Sequence, residues 1–564
     1  MASERETFEI QKLRQGRWTT EMVRDREEDA RQLAKTLLKD KSCGGARVVR
    51  NWLHRDGTVA EKVVFEQTQS GTDSGAIRIN AIEAAPPPCA EPRDYFGLES
   101  RMTINRILRT YLEEVCLTPT EVLHNAKELG RLRDKDTLVP SAVDRIASLQ
   151  VRNTDISVAR RREEIFAALD QIHLQARRAD GLKLPKVGGS FSALLARMDG
   201  FGDEPPEYFA MIALSRELVG MRNWIAKLDR LCKLASGESD AKAVLLLDTV
   251  IADVLGANIV QEILGWQPSL GGAIVAMLDL ANGKFDAKKS ESSEVAGLLN
   301  GLLAQGLLPG SRHCIIDRAL RQLRSSNALS RNEPAREMEE YQRVLLRLLG
   351  RGGLLAGPDA AEALTLRGAR FVEQGGVSGR RAAINNTVNA FPDRAHGVMY
   401  LAELSKTSFA DGHLDDIVRE LDFVFSTRVI GELTRRTLSP RERLQSVTDA
   451  FYATRSSALP EDVKRQVSDH IDTVLERYLV DERVIERLDN PADPLRERAV
   501  RLVKFVNAGV LPEGKALARA RRRIVELLRQ PNFDTRFVAG LSDPVSAKKT
   551  LREFHQMLVK GGFV

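Results

Sequence analysis

From about residue 94 to residue 564, apolar residues recur at spacings of three and four, and almost no stretch alternates as a strand would. That rhythm commits most of the chain to helices, each burying one face. The most regular stretch is 203–235. There Met211, Leu214, Leu218, Met221, Ile225, Leu228 and Cys232 step by three and four, and Asp203 with the prolines after Glu204 fits a helix start. The spacing predicts one long heptad-like helix. Ile212, Val219, Trp224 and Leu231 widen its apolar face beyond a two-helix seam, which favours packing within the chain over a dimeric coiled coil.

A corner recurs along the helical region. LLAQGLLPG occupies 302–310, FVEQGGVSG 371–379 and FVNAGVLPEG 505–514. In each, two apolar residues precede a glycine (Gly306, Gly375, Gly509) and a second apolar stripe follows. Gly237, and more weakly Thr437, extend the series to a spacing of about 67–69 residues. The stripes after the corners begin with Leu247, Ile316, Ile384, Val447 and Ala520. Glycine takes the positive φ that helix ends often need, and proline just beyond blocks continuation. Two architectures fit: a solenoid-like stack of internal repeats, or an irregular helical region with recurrent helix ends. Either predicts helix–helix turns at these positions.

Residues 7–68 read differently. Phe8 and Ile10, then Trp18, Thr20 and Met22, alternate across a glycine turn, as a hairpin does. Asp25 is placed to cap a helix whose stripe is Ala30, Leu33, Ala34, Leu37 and Leu38. A second hairpin follows, 46–54 and 59–67, around an Asp-Gly pair. Trp18 and Trp52 are expected mainly in its core, with a binding face as the alternative. The predicted fold is mainly α, a long multi-helical region preceded by a small ββαββ module. The expected divisions are the module over 1–68, a flexible Pro/Gly-rich linker over 69–93 (a short strand at 76–82 being the alternative there), a helical region over 94–235, and a helical array over 236–564.

Composition narrows the function classes. Of 564 residues, 43% are hydrophobic and 29% charged, which is a globular balance; aromatics at 5% favour helix over sheet. A net charge of +6 over so long a chain does not by itself imply nucleic acid. Cys43, Cys89, Cys116, Cys232 and Cys314 form no Cys-x-x-Cys pair, so neither a disulfide scaffold nor a zinc ribbon is expected. The opening MASERETFEI lacks an apolar core, and runs such as GGAIVAMLDL are too short to span a bilayer. The expectation is a cytoplasmic protein without a membrane span.

No catalytic, cofactor-binding or metal-binding set emerges. His313 and Asp317 lie one helical turn apart beside Cys314, with no third ligand. Asp411, His413 and Asp415 lack the spacing of a calcium loop. The glycine run at 350–359 lacks a Gly-Lys-Ser/Thr ending and reads as a helix stop, as does 557–562. Residues 159–164 mix arginines with acids that can pair along the helix. The strongest charged feature is 514–530, where Lys515, Arg519, Arg521, Arg522, Arg523 and Arg529 oppose only Glu526, with Leu517, Ala520, Ile524 and Leu527 on the other stripe. Lys515, Arg519, Arg522, Arg523 and Arg529 are therefore the candidate contacts for a nucleic acid or an acidic partner. The leading functional expectation is a non-enzymatic scaffold or regulatory adaptor that binds protein partners through an extended helical surface. Nucleic-acid binding through 514–530 is the first alternative, and an enzyme with a dispersed site in the helical region the second.

Overall fold

The computed structural model describes residues 6–14, 17–38, 45–53, 59–68, 79–82, 84–135, 137–152, 154–331, 333–350, 352–372, 376–541 and 543–563. The protein is mainly helical, with a small four-stranded antiparallel sheet near its start, as the sequence predicts. It divides into two compact units, Met1–Glu337 and Met338–Val564. Among the described residues no helix is long and apolar enough to cross a membrane.

The first unit opens with β1 (Glu6–Arg14), β2 (Arg17–Arg24), helix α1 (Glu27–Leu37), β3 (Gly45–Leu53) and β4 (Val59–Thr68), the strands lying in the order β2-β1-β3-β4. Phe8, Ile10, Ala46 and Val48 meet Ala30 and Ala34 of α1, with Leu33, Leu37 and Leu38 around them. The two alanines let the helix lie close to the sheet. Both outer strands carry a bulge: the register skips Glu21 in β2 and Val64 in β4. The carbonyl of Val64 accepts a hydrogen bond from Arg31 of α1 at 2.8 Å. Bulged edges resist pairing with other chains. Asp25 does not cap α1; Arg26 holds that position and makes no side-chain cap bond. The side chains of Trp18 and Trp52 and the two hairpin turns lie outside the described residues.

Residues 79–82 form no strand, and residues 76–78 lie outside the described residues. The backbone N–H of Asn80 donates to Ile107 O at 2.8 Å, Arg145 donates to Ile82 O, and Gln150 to Pro86 O. Ile82 joins the apolar core of the following helices, so this extended segment is stitched to them.

The stretch 203–235 is two helices, not one. Pro206–Val219 stops at Gly220, and Asn223 starts Trp224–Ser236 by accepting the N–H of Ala226 at 2.8 Å. Met221, read as a seam position, lies in the break. Every residue from Tyr208 to Ser215 is buried, so the first half is a core helix without a polar face. Three-four spacing alone cannot separate these cases, because a wholly buried helix also satisfies it.

Gly306 (φ +72°) and Gly509 (φ +68°) each lie between two helices, in the left-handed region that favours glycine. Gly237 caps Trp224–Ser236 with ordinary helical angles, Thr437 sits in a turn before Pro440–Arg455, and Gly375 lies outside the described residues. The apolar stripes downstream of the corners are buried, Leu247, Ile316, Ile384, Val447 and Ala520 among them. The stretches between corners are not built alike. Pro309–Arg324, Glu337–Leu348 and Gly357–Gly368 follow Gly306, whereas Pro440–Arg455 and the longer Glu461–Asp481 follow Thr437.

The helices of both units share one local device. Asp248, midway along Ala241–Gly256, accepts the N–H groups of Gly310 and Ser311 at 2.6 and 2.9 Å. Asp472, midway along Glu461–Asp481, accepts those of Lys515 and Ala516 at 2.6 and 3.1 Å. Each carboxylate caps the helix after a corner from a neighbouring helix instead of from the adjacent residue. Asp253 adds a remote acceptor to the start of Pro119–Leu123, taking Thr120 N at 2.9 Å beside the local Thr118 cap while ion-paired with Arg101. A buried carboxylate is tolerated there because unpaired helix N–H groups surround it.

Candidate cleft in the second unit

The helix Gly376–Ala390 ends at Ala390, and Phe391-Pro392 turns the chain into Arg394–Leu404. Asn385, Val388 and Asn389 recur at three and four, so they share one face of the first helix. The chain then returns through Leu414–Arg419, Asp422–Ser426 and Ile430–Leu433. Together these pieces enclose a cleft of about 510 Å³. Val388, Phe391 and Leu433 are its apolar buried lining, and Asn385, Asn389, Arg394, Arg419, Glu432 and Arg435 are exposed around it.

Each carboxylate of the lining has at least one oxygen held by the fold. Asp393 caps Arg394–Leu404 by accepting the His396 N–H at 3.1 Å, and the same oxygen meets His396 Nδ1 at 2.5 Å. Its side chain is 2% exposed. Its other oxygen has no hydrogen bond, and Arg435 Nε is 3.9 Å away. Glu420 accepts from Asn385 Nδ2 at 2.8 Å. Glu432 accepts the Arg428 N–H at 2.7 Å, and that backbone bond holds its pKa below the usual glutamate value.

The guanidinium groups of the lining are comparatively unclaimed. Arg419 makes no ion pair or hydrogen bond among the described residues. Arg394 stacks over Phe423, 5.3 Å from the ring centre, and Arg435 has only the long approach to Asp393. A mainly polar lining with a few buried apolar residues and exposed fork-shaped donors suits an anionic ligand. The Asp393–His396 pair orients an imidazole, but it lies within one helical turn and serves as a cap.

The sequence-predicted residues of 514–530 lie elsewhere in this unit, on Lys515–Leu528 and just beyond it. Leu517, Ala520, Ile524 and Leu527 are buried, as expected. Most of the cations are knitted to acids. Arg519 approaches Glu476 at 3.5 Å, and Arg521 forms two 3.0 Å bonds to Glu513. Arg523 bonds Asp489 at 2.6 Å and Glu526 at 2.8 Å. Lys515 Nζ reaches Thr473 at 3.3 Å. Arg522 and Arg529 are exposed and carry no ion pair among the described residues.

The other sequence candidates do not converge. His313 pairs with Glu99 at 3.1 Å while Asp317 pairs with Arg321. Among the described residues no three His, Cys, Asp or Glu side chains gather as metal ligands would. His413 sits at the start of Leu414–Arg419, with Asp415 and Asp416 in its first turn, as suits a helix dipole. The glycine run forms a small antiparallel pair, Leu349–Gly350 with Gly353–Leu354, before the next helix.

Sequence reading missed the cleft because Arg394, Arg419 and Arg435 form no local cluster. The one available signal was Asn385 and Asn389, two polar residues one turn apart on a helix end. Compared with known proteins, the chain matches no family model, no curated protein and no solved structure.

Proposed function

We propose that the protein is a non-enzymatic scaffold or regulatory adaptor, and that the cleft of the second unit receives a segment of a protein partner. One observation carries this reading: Glu420 and Glu432 are hydrogen-bonded within the fold, whereas Arg394 and Arg419 form no ion pair among the described residues and Arg435 has only a 3.9 Å approach to Asp393. A small apolar patch of Val388, Phe391 and Leu433 ringed by exposed polar groups resembles the make-up of a protein contact. A cytoplasmic setting suits the unpaired Cys116, Cys232 and Cys314.

The test is retention of partners from an extract of the source cells by the purified full-length chain and by Asn389→Trp, which places a bulky ring at the cleft mouth. The reading expects specific partners held by the first and released by the second. Equal retention by both would contradict it. Nucleic-acid binding is a second reading, favoured only by the unpaired Arg522 and Arg529. It expects salt-sensitive affinity that the double alanine variant abolishes.

A further inference from the structure

We propose that the cleft recognises a carboxylate on an extended peptide, held between the guanidinium groups of Arg394, Arg419 and Arg435. This rests on the reading of the cleft as a partner site and names what the partner presents. The planar guanidinium fork matches a carboxylate with two parallel hydrogen bonds. Arg394 lies over the Phe423 ring, a contact that uses its charge without consuming its N–H donors. Arg435 is held only at 3.9 Å by Asp393, whose facing oxygen forms no hydrogen bond, so an incoming carboxylate competes with a weak contact.

Charge balance selects carboxylate over phosphate. The three guanidinium groups are offset by Asp393, Glu420 and Glu432 in the same lining. A single negative charge meets less repulsion from those carboxylates than the two charges of a phosphate would. The neighbouring amides support an extended peptide. Asn389 Nδ2 donates to Asn385 Oδ1 at 2.9 Å, and Asn385 in turn donates to Glu420. This leaves the exposed Asn389 carbonyl oxygen to accept a peptide N–H.

The carboxylate can come from an Asp or Glu side chain or from a chain terminus. The test is selection of a random octapeptide library with free C-termini on the full-length chain. Selected peptides are then remade with free and amidated ends and titrated against the wild type and Arg419→Gln/Arg435→Gln. Both arginines are exposed, so the variant should fold, and circular dichroism checks it. The proposal expects enriched acidic residues, or affinity lost on amidation, and a loss of about tenfold or more in the variant. The amidated arm separates the two sources. Peptides that bind without any carboxylate preference and equally well to the variant would overturn the carboxylate assignment and leave the partner reading standing. No enrichment at all would overturn both.

Discussion

At the scale of single residues, the first unit is notable for charges buried in pairs. Lys227 and Glu121 are both fully buried, 2.6 Å apart, and Lys227 also donates to the carbonyl of Cys116. Removing one partner leaves an uncompensated charge, so Glu121→Leu should cost about 3–5 kcal/mol in urea unfolding. The double variant Glu121→Leu/Lys227→Met should recover most of that loss; a double variant as unstable as the summed singles would contradict the pairing. His124 gives a pH signature. It packs between Phe96 and Tyr208, its Nδ1 is 2.9 Å from Thr120 O, and burial lowers its pKa from 6.5 to about 4. The native ring is therefore neutral where the unfolded ring takes a proton. Its contribution is full above pH 6.5 and is lost as pH falls toward 4, by about 3 kcal/mol across the window. The buried carboxylates Glu121 and Asp253 also titrate, so the measurement is the difference in stability–pH slope between wild type and His124→Gln. Equal slopes would contradict the assignment. None of these pairs was legible in the sequence, because Glu121 and Lys227 are joined only by the fold.

At the scale of elements, the remote caps explain why the corners end as they do. A Cβ on Gly514 would lie 2.4 Å from Asp472 Oδ2, so the carboxylate reaches the helix start only because residue 514 has no side chain. Gly514→Ala and Asp472→Ala should each cost about 1–2 kcal/mol in thermal unfolding, and the double variant little more than either alone. Additive losses would show that the two residues act separately. The arginine-rich helix divides similarly. Arg523→Ala strips one partner from the buried Asp489 and should destabilise by about 1–3 kcal/mol, while Arg522→Ala should stay within about 0.5 kcal/mol. Much at this scale was legible. Alternation through Phe8 and Ile10 located a strand, and the Ala30-to-Leu38 stripe located the helix that covers it. The break at Gly220–Asn223 was not, because the hydrophobic rhythm continues through it and only the Asn223 cap interrupts the backbone.

At the scale of the whole molecule, the proposed recognition site is a cleft contained within the second unit, while the cations of the arginine-rich helix are mostly paired within the fold. Local charge density pointed to 514–530, but acids from three other segments, Glu476, Asp489 and Glu513, fold onto it. Arg394, Arg419 and Arg435 line one cleft only because three short helices, Leu414–Arg419, Asp422–Ser426 and Ile430–Leu433, turn the chain back. Hydrogen exchange on the full-length chain, with and without a saturating acidic octapeptide from the selection, tests this assignment most directly. Slowed exchange is expected over 385–394 and 419–435, with no change over 515–529. Protection confined to 515–529, or absent from the cleft segments, would contradict it.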